Sequence, residues 1–132
     1  MPDVKMFMHD SLCHSDLLID EVPKIVAEQM SCTVDGEYYQ LDPNNEIDLL
    51  LFRDNEQIKE GVDEGPYDIT ISSDTSIIVE VAAYDFEDRM ANIDERIKNI
   101  ATRVKELYDR DEREVTVSIT FIPIKQGHWA RV

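Results

Sequence analysis

Residues 90–107, MANIDERIKNIATRVKEL, place apolar side chains at Met90, Ile93, Ile97, Ile100, Val104 and Leu107, in steps of three and four. Asp94, Glu95, Arg96, Lys98 and Arg103 fall on the other faces. The spacing predicts one amphipathic helix of roughly five turns with a single apolar stripe. A coiled-coil seam has a similar pattern, but here the stripe ends before three heptads and strands bracket it, so it reads as a core-facing surface. Before it, residues 77–83 (IIVEVAA) form a β-branched apolar run suited to a central strand. After it, Val115, Val117, Ile119 and Phe121 alternate with Thr116, Ser118 and Thr120, the period of a strand with one buried face.

The first half of the chain carries the same order. Residues 4–8 (VKMFM) are a short buried strand, and Leu17, Leu18, Val22, Ile25, Val26 and Met30 repeat at helical spacing. Pro23 falls inside that repeat, so the helix is either kinked there or begins near Asp20 with the proline in its first turn. A polar turn at residues 42–45 leads into residues 47–52 (IDLLLF), another strand. Residues 53–66 are charged, contain Gly61 and Gly65, and read as a surface loop or hairpin. Residues 67–71 (YDITI) alternate like an edge strand. Strand, helix and strand thus occur twice. Helical crossovers favour parallel, right-handed pairing within each unit, with both helices on one face of the sheet. The expected fold is an α/β two-layer sandwich of duplicated β-α-β units in one domain over 1–132. Unit one spans about 1–53, a loop or hairpin 54–72, and unit two about 76–129.

The chain has 132 residues and a formal net charge of −16. Such a field opposes the approach of phosphate backbones and anionic membrane surfaces, so no nucleic acid and no membrane is expected as a partner. No apolar run approaches the roughly 20 residues of a membrane-crossing helix. MPDVKMFMHD has acids early and no long apolar core, unlike a secretory leader, so a cytoplasmic address is expected. Cys13 and Cys32 read as reduced thiols. His9, Cys13, His14 and Cys32 match no zinc spacing. Asp42, Asn44, Glu46 and Asp48 alternate like a calcium loop but lack its glycine, and Arg53 stands where the bidentate acid belongs. No phosphate loop, hydrolytic triad or dinucleotide fingerprint occurs, and neither metal nor cofactor is expected.

Proline stands directly after the initiator methionine, and the final strand runs from VTVSIT into KQGHW. With the duplicated β-α-β order, these features resemble the tautomerase superfamily, above all its long, trimeric members. The architectural likeness spans nearly the whole chain, whereas likeness of residues is confined to Pro2 and residues 115–129. The resemblance implies a homotrimer acting on a small molecule, with Pro2, freed by removal of Met1, as general acid/base on a small keto or enol acid. It places the aromatic after Gly-His near that proline, which makes Trp129 the matching residue and His128 its neighbour. Val4, Phe7 and Ile78 are further candidate pocket walls. The family's oxalocrotonate branch binds substrate carboxylates with two arginines. Here the matching final-strand position is Thr116, and residues 9–14 contain no arginine. The migration-inhibitory-factor branch has a lysine near the end of the first helix, where residues 31–40 have none. Replacement cations are Arg53, Arg89 and Lys125, with Arg89 first because it opens the second helix, where backbone N–H groups could assist. The alternative implied is a non-catalytic trimeric scaffold or acidic binding module of the same fold.

Overall fold

A computed structural model describes residues 2–9, 12, 15–54, 76–108 and 115–125. In chain order the elements are β1 (Asp3–His9), α1 (Ser15–Met30), β2 (Cys32–Val34), β3 (Glu37–Tyr39), β4 (Asp48–Asp54), β5 (Ser76–Tyr84), α2 (Glu87–Met90), α3 (Ile93–Glu106) and β6 (Thr116–Ile124). Four strands form one sheet in the order β4-β1-β5-β6. Both β-α-β units pair in parallel, β1 with β4 and β5 with β6. The units meet through an antiparallel β1–β5 pair that sets Met6 opposite Val79 and Asp3 opposite Ala82.

Val4, Met6 and Met8 of β1 and Ile77, Val79 and Val81 of β5 share one face of the sheet and are fully buried. They pack with Leu18, Val22, Ile25, Val26 and Met30 of α1 and with Ile100 and Val104 of α3. Both long helices therefore cover a single face, and the architecture is the expected two-layer α/β sandwich. In β6, Val117, Ile119 and Phe121 pack against this core while Thr116, Ser118 and Thr120 are exposed, as their alternation predicts.

Three local expectations change. The helix read across residues 90–107 is divided: α2 is a single turn, and α3 begins after Asn92. Asn92 leaves helical geometry at φ −137°, ψ 37°, consistent with the preference of asparagine for the N-cap. The first helix starts at Ser15, so Pro23 lies in its interior. The N–H that proline lacks would have met the carbonyl of Ile19, itself an exposed residue. The unforeseen element is the β2–β3 hairpin. Its turn is Asp35-Gly36, both at positive φ (53° and 85°), the conformation that a two-residue hairpin loop requires and glycine adopts without strain. The strand expected at residues 67–71 and most of the loop at 53–66 lie outside the described residues.

Candidate functional site at the start of the first strand

Pro2 is buried at the head of β1, where its carbonyl accepts the N–H of Asp48 (3.2 Å) as β4 begins alongside. Because β5 runs antiparallel to β1, the chain leaving β5 emerges at this same end. Tyr84, Phe86 and Arg89 thereby arrive beside Pro2. With Val34 and Tyr39 from the hairpin and Leu41 and Glu46 from the turn that follows, they line a pocket of about 290 Å³.

Two polar groups organise the walls. Arg89 is only 2% exposed. Its Nε and Nη2 both donate to the carbonyl of Met30 (2.9 and 2.7 Å), and Nη1 donates to the carbonyl of Tyr84 (2.8 Å). Met30 ends α1, where carbonyls lack helical partners, and α1 has no basic residue in its own last turn. A cation from the second unit fills that role. The guanidinium also lies 5.3 Å from the centre of the Phe86 ring. Burial, aided by the nearby charge of Arg96, pulls its pKa below the ordinary arginine value, with Cys32 opposing the shift. An arginine so placed remains cationic at neutral pH.

The second group is Glu46. The Tyr39 hydroxyl donates to its Oε2 and the Asp42 N–H to its Oε1 (3.1 Å). Acceptance by Glu46 pushes the Tyr39 phenol above its ordinary pKa, since the carboxylate favours the protonated donor. Nearby hydrogen bonds hold the frame. Ser31 Oγ donates to Ala27 (2.6 Å) and accepts from Leu41 N–H (2.9 Å), and Asp88 Oδ2 accepts from Thr33 N–H (2.7 Å), tying the hairpin to α2.

Of the residues expected at a site, Pro2 and Arg89 meet in this pocket. Lys125 is exposed one residue beyond Ile124, which pairs with Tyr84. It is at the same end of the sheet but is not among the lining residues. Arg53 lies at the other end, paired with Met8, roughly 20 Å along β1 from Pro2. There its Nη2 donates to the carbonyl of Leu12 (3.1 Å). Val4 faces the helices, and Phe7 and Ile78 lie further along the opposite face, so none of these three walls the pocket. His128 and Trp129 lie outside the described residues, as do Cys13 and His14. Cys32 is a buried free thiol.

Tyr39 and Glu46 were missed in the sequence, although Asp35-Gly36 between CTV and EYY is a hairpin signal that would have placed Tyr39. Residues 42–45 do form a turn. Asp42 accepts from Asn44 N–H (2.9 Å) and the Asn45 amide (2.6 Å), which lowers its pKa. Among the described residues no helix is long and apolar enough to cross a membrane.

No protein-family model and no curated protein matches the chain. Among solved structures it is similar to a crystal structure of native fused 4-OT, with 12% identical residues and a TM-score of 0.49 over 92% of this chain and 87% of that one.

Proposed function

We propose that this protein is a tautomerase-like proton-transfer enzyme, with Pro2 as general acid/base on a small keto or enol acid. The observation that carries this reading is the burial of Pro2 in the wall of a pocket that also contains a cation, Arg89. Once Met1 is removed, residue 2 carries a secondary amine in a rigid ring. A free α-amino group titrates near about 8, and apolar surroundings disfavour its charged form. The wall residues Val34, Leu41 and Phe86 supply such surroundings. The neutral amine would take a proton from the carbon beside a carbonyl and return it at the other end of the enol system. The positive charge of Arg89 would favour the developing enolate. Three copies of the chain, as the resemblance implies, would complete the assembly.

Intact mass and enolisation of phenylpyruvate test the proposal. The mature chain should lack Met1, and Pro2→Ala should lower kcat/KM by about a hundredfold or more, the scale of a lost general base. Equal rates for the two proteins, or a retained Met1, would remove the proline from the mechanism. One observation favours a second reading: Arg89 already gives three hydrogen bonds to backbone carbonyls. In that reading the arginine is purely a helix cap, and the protein is a non-catalytic scaffold or acidic binding module.

A further inference from the structure

Among the described lining residues Glu46 is the one acid, and its position is held from two sides. Each carboxylate oxygen accepts one donor from the chain, Tyr39 Oη at Oε2 and Asp42 N–H at Oε1. A carboxylate offers about four lone-pair directions, so two donors fix the group in place and leave acceptor capacity for a ligand. The other charged lining residue, Arg89, has the opposite sign, and the remaining lining residues are Pro2, Val34, Leu41 and the aromatic Tyr39, Tyr84 and Phe86. The pocket therefore has a positive group, a negative group and largely apolar or aromatic walls. A ligand bearing one carboxylate matches this pattern if its far end carries a donor. A second carboxylate would meet Glu46 in a partly desolvated space, where like charges repel strongly.

We propose that Glu46 determines specificity in the Pro2 pocket, selecting small monocarboxylates with an ammonium or hydroxyl donor at the far end and rejecting dicarboxylates. The assignment of which ligand end reacts rests on the Pro2 reading; the selection at Glu46 is a matter of binding and is measured separately. Tyr39 is then a positioning residue, because it acts only through the carboxylate it holds.

The test uses phenylpyruvate and its para-aminomethyl and para-carboxy derivatives, which share one core and differ at the far end. Binding to the full-length protein is measured by calorimetry in 0.15 M salt. The expected order is aminomethyl tightest and carboxy weakest, with roughly tenfold or more between them. Glu46→Gln should reduce that ratio to about threefold or less, the ratio being read within each protein so that any change in phenylpyruvate binding itself cancels. Tyr39→Phe should give an intermediate ratio at unchanged thermal stability. An unchanged order in Glu46→Gln, equal binding of the two derivatives to the native protein, or binding of none of the three overturns the proposal. Enolisation by Pro2→Ala is assayed in parallel. Lost turnover in Pro2→Ala with its selectivity intact supports both readings, and unchanged turnover with intact selectivity rejects only the proline.

Discussion

Asp3 and Asp48 stand opposite each other where β1 and β4 begin. Burial, followed by repulsion from Asp48, raises the Asp3 pKa above the ordinary carboxyl value. An acid whose folded pKa is raised adds stability at pH values below its unfolded pKa, and that contribution is lost as pH rises through the folded value. Asp42 has the opposite sign. Hydrogen bonds from Asn44 and Asn45 lower its pKa, so its contribution is present above the unfolded value and lost as pH falls through the folded one. The two substitutions should separate in thermal melts at pH 7 and pH 3. Asp48→Asn should raise Tm at pH 7 more than at pH 3, whereas Asp42→Ala should lower it at pH 7 more than at pH 3. A pH-independent effect in either variant would show that packing, not charge, sets the response. At this scale the site was half legible. Pro2 could be singled out as a candidate from its place beside Met1 and its ring. Tyr39 was missed although the Asp35-Gly36 turn signals its hairpin, and Glu46 because it follows a polar turn that has no period of its own.

The joint between the two units is made by side chains at the end of α1. Arg89 donates to Met30, while Arg96 Nη1 donates to the carbonyls of Gln29 (2.6 Å) and Ser31 (2.8 Å). The Arg96 Nε is held by Oδ1 of Asn92 (2.6 Å), the N-cap of its own helix. Two arginines of the second unit thus satisfy carbonyls at the end of α1 and just beyond it, and the same residues fix how α1 and α3 lie beside each other. The ion pair of Arg96 with Asp88, at 4.0 Å, adds little by comparison. Charge-assisted hydrogen bonds of this kind contribute about 2 kcal/mol net. Arg96→Ala should therefore lower Tm by roughly 5 to 10 °C in a domain of this size. Arg96→Lys should recover only part of this, since one ammonium cannot hold both the two carbonyls that meet Nη1 and the Asn92 Oδ1 that meets Nε. A melt indistinguishable from the native one would mean water replaces the guanidinium at no cost. The long helices and long strands were legible because their periods run over many residues. The break at Asn92 was not, because the apolar stripe continues across it from Met90 to Ile93. The capping arginines were equally hidden, as their partners are backbone atoms some 60 to 70 positions away, Arg89 to Met30 (59 apart) and Arg96 to Gln29 (67 apart).

For the whole molecule, parallel pairing inside each unit follows from helices placed between strands, and it is what the sheet contains. The antiparallel junction of β1 with β5 had no sequence signal, yet it brings Arg89 to Pro2. Among the described residues, no helix covers the second face of this sheet. Register places Leu50, Phe52, Phe7, Ile78 and Ile122 there; Leu50 is 54% and Ile122 43% exposed, and the Phe7 and Phe52 rings stack at 5.1 Å. Among the described residues β4 and β6 are the outermost strands, so backbone groups at both edges also lack sheet partners. Closing three copies into a ring would cover apolar face and edges together. If the implied trimer forms, sedimentation at micromolar concentration should give three times the 15.3 kDa chain mass. Leu50→Lys combined with Ile122→Lys should shift the species toward monomer with the circular dichroism retained, because charges would then have to be buried against a partner. A trimer that survives both lysines would mean that strand edges hold it without this face, and a monomeric native chain would end the assembly reading.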